Sequence, residues 1–397
     1  MHFTLESGMR YLCEESRITS GLAVAYGDGA CARTARRGNA REVSLENGAF
    51  VPCVQQLKED AIFDLASVTK LFTALAVVLL MQDGRVRLGD PLSKFEPRFT
   101  HIGDTTVEAL LTFRAGLYTE KRIDAQENRG AAQAVLFDMR HMPSLPLRHY
   151  TDMGALALKY VIEAASGMPY YDFLKARVLA PLHMDTTFAR VPEGLLPRVV
   201  CYNYERRVVG GAYTVDTGCL PGLPHDPKAR VLMGDTGDLC GHAGLFSTVD
   251  DMVKLAQGLI NDRLFPHETL LEMGIDRTSE CPLAKGGHTQ YLGYLCYAKH
   301  PEQTYSEVPA CFGWRTVALS GFTGNHFSVD PEQNRFMIIL GNRIHNRVTV
   351  ATGRPDPNDR TIAMPWNDGQ IYPVSQNYTY LKDPMLKEPM GALLDKL

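Results

Sequence analysis

From Leu71 to Met81 a single polar residue, Thr73, interrupts a run of apolar side chains. A helix that is apolar on every side has no face to give to water, so this segment has to lie inside the molecule with other elements packed around it. Asp83-Gly84 supplies the C-terminal stop. Immediately before the run stands Phe63-Asp64-Leu65-Ala66-Ser67-Val68-Thr69-Lys70. Residues three apart are neighbours on a helix surface, so Ser67 can hand a proton to Lys70. The free N–H groups and the positive end of the dipole at a helix start favour a developing alkoxide and disfavour a charged amine. Burial also disfavours the charged amine. A neutral Lys70 beside a reactive Ser67 is the expectation. A serine cap followed by a surface lysine would show the same letters, and the buried helix is what argues against that bland reading.

With 397 residues, 45% of them hydrophobic, the chain can build one large domain or two smaller ones. The net charge is −4 and no block of like charge stands out, which argues against nucleic acid or a membrane surface as partner. The first ten residues lack a basic start followed by a long apolar core, and no run approaches the ~18 apolar residues of a membrane span, so a cytoplasmic location is expected. Nine scattered cysteines without a Cys-x-x-Cys pair read as reduced thiols. The twelve histidines form no His-Glu-x-x-His array and no Gly-x-x-x-x-Gly-Lys loop is present, so neither a metal nor a cofactor is expected. Gly-x-Ser-x-Gly is also missing, which excludes an ordinary α/β-hydrolase elbow.

Along the chain, Gly21 to Tyr26 and Cys31 to Arg36, joined by Gly27-Asp28-Gly29, read as a β-hairpin. A turn at Asp90 to Phe95, a short helix from Thr106 to Leu111 and a longer helix from Asp152 to Ala165 follow. Residues 190 to 240 read as irregular. Asp250 to Ile260 is helical, and Phe327 to Val329 pairs with Arg335 to Leu340 across a tight turn. Gly353 to Asp359 reads as an exposed loop. The grouping predicts an α/β (α+β) fold: an antiparallel sheet domain from residues 1–87 and 236–350, an inserted mostly helical domain from 88–235, and a tail, 351–397, without a predicted place. Ser67 would sit in the cleft between the two domains.

Two further segments carry chemistry. Tyr150-Thr151-Asp152 lies where a loop enters a helix; a lysine beside a phenol favours its ionised form and makes it a proton shuttle. Asp152 is either the N-cap of its helix or a member of the site. In Leu319-Ser320-Gly321-Phe322-Thr323-Gly324-Asn325, paired glycines let a strand approach a ligand, and an outward N–H could join that of Ser67 in binding an oxyanion.

In this order the segments resemble the serine hydrolases of the class C β-lactamase and penicillin-binding-protein superfamily. Leu88 to Phe95, Leu110 to Leu117, Tyr150 to Gly154, Gly241 to Thr248 and Asn342 to His345 add to the likeness, which spans roughly residues 20–347. The resemblance implies an acyl-enzyme mechanism with Ser67 as nucleophile, Lys70 as base, Tyr150 as proton shuttle, and the backbone N–H groups of Ser67 and Phe322 as oxyanion hole. Asp152, Leu319, Ser320, Gly321 and Arg343 would contact substrate. It also implies a flanked antiparallel sheet with a helical region beside it.

Two departures from the family pattern bear on the substrate. Leu319 stands where relatives carry the lysine or histidine of Lys-Thr-Gly or His-Thr-Gly, a cation that enzymes acting on β-lactams or D-alanyl peptides place near the substrate carboxylate. Arg343 and Arg347 are the candidates to replace it. Asp152 stands where asparagine is commoner, and its carboxylate would favour a charged Lys70 and move the base role toward Tyr150. The sequence therefore points to a serine esterase or amidase, a carboxylesterase first, acting on a small ester, amide or β-lactam-like molecule. A penicillin-binding D-stereospecific peptidase or weak β-lactamase, and a catalytically silent ligand-binding homologue, are the alternatives.

Overall fold

Six strands drawn from the two ends of the chain form one antiparallel sheet in the computed structural model, which describes residues 3–143, 150–281, 289–352 and 361–397. They are β1 (Gly21–Asp28), β2 (Ala32–Glu46), β3 (Ala49–Gln56), β4 (Val317–Ser320), β5 (His326–Asp330) and β6 (Arg335–Gly341), in the order β4-β5-β6-β1-β2-β3. Val24 lies opposite Ile339, and Phe327 lies between Leu319 and Ile338. Strands β1, β5 and β6 are buried almost throughout, the mark of a sheet covered on both faces. The predicted hairpins are both present, and the first gains a third strand, β3.

Helix α1, Thr69–Gln82, is buried from Thr69 to Leu80, as its sequence demands, and ends where Gly84 takes φ +68°. It packs on helix α2, Met153–Ser166. The segment between residues 190 and 240 is more regular than its sequence shows: Glu205–Val209 and Ala212–Asp216 pair as a hairpin whose first strand runs parallel to Val348–Ala351. Most of that hairpin's second strand is exposed, so no apolar alternation announces it. Helix α3, Pro227–Met233, follows, then α4, Val249–Ile260, which packs on the sheet.

The tail returns to the core. Helix α5, Tyr378–Lys382, runs through the turn Asp383–Lys387 into Glu388–Leu394, and this assembly packs on the N-terminal helix Leu5–Arg10. Gly8 lies so close to the Met385 carbonyl that a Cβ there would overlap it. The expected loop Gly353 to Asp359 lies outside the described residues. Among the described residues no helix is long and apolar enough to cross a membrane.

Candidate active site

The short strand Phe63–Asp64 pairs with Phe246–Ser247 and then turns sharply through Ala66, whose φ is +47°. A left-handed alanine costs about 1–2 kcal/mol, so something must hold it. Asp64, fully buried, does: its Oδ1 accepts the Ala66 N–H at 2.8 Å and its Oδ2 the His225 N–H at 2.7 Å. Burial pushes the Asp64 carboxyl above its usual range. The turn delivers Ser67 to the head of α1, where Lys70 Nζ donates to Ser67 Oγ at 2.9 Å.

Lys70 is wholly buried yet not uncharged. Burial would lower its affinity for the proton, but the carboxylate of Asp152, 2.8 Å from Nζ, together with Tyr150 and Asp226, outweighs that and holds it above the usual lysine value. The neutral lysine expected from helix position and burial is thus not what this site contains. Lys70 Nζ also donates to the His242 carbonyl at 3.3 Å. Asp152 makes no capping bond to its helix; its second oxygen meets Lys228 Nζ at 2.9 Å. Burial works to raise the Asp152 carboxyl, and Lys70, His242 and Lys228 overcome it and hold it well below the carboxylate range.

Tyr150 is stacked between Phe113, at 5.1 Å and 26°, and Tyr297, at 5.4 Å and 18°. Lys70 Nζ lies 5.2 Å from its ring centroid, within cation–π range. Ser67 and Tyr150 share one cavity of about 660 Å³, whose lining includes Asp152, Lys228, Ser320, Phe322 and Lys382.

The strand end at Gly321 presses on the nucleophile turn. A Cβ on Gly321 would lie 2.6 Å from the Leu65 carbonyl oxygen and 3.3 Å from Ala66 Cβ, so only glycine lets the end of β4 pass this close to the turn that carries Ser67. Thr323 Oγ1 and Asn325 Nδ2 lock this approach by donating to the Asp64 carbonyl at 3.0 and 2.7 Å.

Leu319, expected at the substrate, is buried in the core opposite Phe327. Alternation along the strand turns the next residue, Ser320, to the cavity instead. Arg347 is spent on a buried bidentate pair with Glu42, at 2.6 and 2.9 Å. Arg343 lines the cavity but commits Nε to the Phe322 carbonyl at 2.7 Å and Nη1 to that of Ser375 at 2.9 Å.

The cation beside Ser320 comes from the tail. Lys382 Nζ donates to Ser320 Oγ at 2.6 Å and pairs with Glu307 at 2.6 Å. Burial lowers its pKa, and Glu307 limits the fall to about 8. Lys382 carried no signal in the sequence. Lys228 and Asp226 stand in Asp226-Pro227-Lys228, a helix-start signature inside the stretch read as irregular, with nothing to show where that helix points. Among the described residues one group has the spacing of metal ligands, Asp152, Asp226 and His242, whose ligand atoms lie within 4.8 Å; Lys70 and Lys228 already pair with its carboxylates.

Comparison with known proteins bears on the family and the fold. Residues 31–355 match the Beta-lactamase family model. A Salmonella gallinarum protein named "Putative D-alanyl-D-alanine carboxypeptidase" is 26% identical over 332 residues, covering 75% of this chain and 73% of its own. Among solved structures, simvastatin synthase (LovD) from Aspergillus terreus has a TM-score of 0.66 at 15% identity, over 99% of this chain and 98% of that one. The D-amino acid amidase of Ochrobactrum anthropi SV3 has a TM-score of 0.61 at 17% identity, over 99% and 98%. EstCE1, a hydrolase with promiscuous acyltransferase activity, has 0.65 at 17%, over 96% and 97%. With its family model matched over most of its length, its flanked antiparallel sheet and the Ser67–Lys70 pair at the cavity, this chain belongs to the beta-lactamase family.

Proposed function

We propose that this hydrolase cleaves a small ester or amide through an acyl-enzyme on Ser67. The observation that carries the reading is the 2.9 Å contact between Lys70 Nζ and Ser67 Oγ at the wall of an open cavity. Ser67 Oγ attacks the carbonyl carbon while its proton passes into the Lys70–Tyr150 pair. Because Asp152 keeps Lys70 charged, Tyr150 is the member that takes the proton: its phenolate, paired with the Lys70 ammonium, becomes a neutral phenol as Ser67 Oγ attacks. The amides of Ser67 and Phe322 bind the oxyanion. Collapse breaks the bond to the leaving group, which leaves with the proton, and water then releases the acyl group by the reverse path. Incubation with p-nitrophenyl acetate and with a fluorophosphonate probe tests this: turnover and a label on Ser67 are expected, both lost in Ser67→Ala. Absence of turnover and of label would leave only a silent homologue.

A second reading, a D-stereospecific peptidase, is favoured by Lys382. Its ammonium at Ser320 supplies at the cavity wall the cation that Leu319 does not, suiting a substrate with a free carboxylate, as does the name of the Salmonella relative. This reading expects a stable penicillin adduct on Ser67 and D-alanine release from a D-alanyl-D-alanine peptide, both weakened in Lys382→Met while p-nitrophenyl acetate turnover stays. Equal loss on both substrates would remove it.

A further inference from the structure

The carboxylate of Asp152 serves two lysines, and only one of them lies in a recognisable catalytic segment. Oδ1 meets Lys70 Nζ at 2.8 Å and Oδ2 meets Lys228 Nζ at 2.9 Å. Lys228 continues to Asp226 Oδ2 at 3.6 Å, Asp226 Oδ1 to His242 Nε2 at 2.9 Å, and the His242 carbonyl returns to Lys70 Nζ at 3.3 Å. The result is a closed ring that begins and ends on the nucleophile's neighbour. It is assembled from four places: α1, the start of α2, the start of α3, and the loop leading to Phe246–Ser247.

Local structure does not account for Lys228. It stands in the first turn of α3, where the helix dipole disfavours a cation. What holds it there is the pair of carboxylates, Asp152 and Asp226, which raise its proton affinity against the effect of burial. Lysine and carboxylate charges in the ring balance, two against two. Without Lys228 the two carboxylates of the ring would have Lys70 as their one lysine partner.

We propose that Lys228 is a positioning residue: by occupying the second oxygen of Asp152 it sets how tightly the Lys70–Tyr150 pair holds its proton, and so the pH at which Ser67 becomes reactive. This rests on the acyl-enzyme reading above. Among the described residues the charged and titratable groups facing Lys70 are Asp152, Tyr150, Asp226 and His242. On the outer side of Lys228 lies Asp124, already in a bidentate pair with Arg122. Among the described residues, Arg122 on that side is therefore already engaged.

The sign follows whichever member of the Lys70–Tyr150 pair takes the proton. Deleting a positive charge makes every nearby group hold its proton more tightly, and deleting a negative one does the opposite. The rate of fluorophosphonate labelling of Ser67, measured across pH on the full chain, reads this directly. In Lys228→Met the rising limb is expected to move up by about one pH unit, so labelling on that limb slows about tenfold while the alkaline plateau is kept. Lys228→Arg should restore the limb. Asp226→Asn should move it down, because asparagine can still cap α3 through the bond that Asp226 Oδ1 makes to the Ala229 N–H. A merely structural role would lower the plateau in these variants and leave the limb where it was, which would overturn the inference. Labelling of Ser67 in the wild type with an unmoved limb sinks this inference alone; no labelling in the wild type sinks the hydrolase reading and this with it.

Discussion

Gly321 shows how much of the site rests on single backbone positions. Its missing side chain is what lets the end of β4 touch the Leu65–Ala66 turn, and the atoms a Cβ would meet are a carbonyl oxygen at 2.6 Å, Asn325 Nδ2 at 3.2 Å, which is tied to the Asp64 carbonyl, and another Cβ at 3.3 Å. Gly321→Ala should push the Phe322 amide away from Ser67. The expected outcome is a loss of roughly 10²–10³ in kcat, the effect of removing one oxyanion donor, with about 1–3 kcal/mol of stability lost to overpacking. Steady-state hydrolysis of p-nitrophenyl acetate and urea unfolding measure the two; unchanged kcat would show that the Phe322 amide does not serve the reaction. Ser67, Lys70, Tyr150 and Gly321 were all legible because each stands in a short segment with its own chemistry. The charge of Lys70 was half legible: the helix start and burial argued for a neutral amine, Asp152 argued against it, and only the 2.8 Å contact decides between them. Leu319 misled because strand alternation, invisible until the pairing with Phe327 is known, sends its side chain inward and that of Ser320 outward.

The segment Tyr378–Lys387 fits its place through one buried carboxylate. Glu307 lies under Lys382 at 2.6 Å and Lys387 at 3.1 Å, with His326 Nδ1 at 3.4 Å and a hydrogen bond from the Tyr305 hydroxyl. Burial works to raise its pKa, but Lys382 and Lys387 prevail and hold it well below the usual 4.5. A carboxyl whose folded pKa is depressed binds fewer protons folded than unfolded. Its contribution is therefore full above pH 4.5 and is lost as the pH falls below that value. Glu307→Gln should cost about 3–5 kcal/mol at neutral pH by leaving the buried Lys382 ammonium without its carboxylate and Lys387 with Asp383 alone. It should also flatten the acid limb of stability measured by urea unfolding at a series of pH values; an acid limb as steep as the wild type's would mean that other carboxylates govern it. None of this was legible. Glu307 and the lysines are distant in the chain, and a lysine facing inward from a short helix looks in sequence like any surface lysine.

On the scale of the whole molecule, the helices and strands with a strong period were read from sequence, whereas the closure of the fold was not. Strand β1 pairs with β6 across the length of the chain, Leu22 with Gly341, and that much follows from sheet-forming segments at both ends. The tail has no period because it is not a surface helix of its own. It fills a gap between the N-terminal helix, the sheet edge at β4 and the cavity, burying Tyr378, Met385, Leu386, Met390 and Leu394. At about 1.5–3 kcal/mol for each large side chain, these five represent on the order of 10 kcal/mol, as much as the ~5–15 kcal/mol that keeps an ordinary domain folded. Removing residues 376–397 should therefore do more than delete Lys382: the chain is expected to lose its cooperative thermal transition and, with it, fluorophosphonate labelling of Ser67. Lys382→Met, which removes the cation but keeps the apolar contacts, should retain both. A truncated chain that still unfolds cooperatively and still labels would show that the tail is an accessory to the site rather than part of the core that builds it.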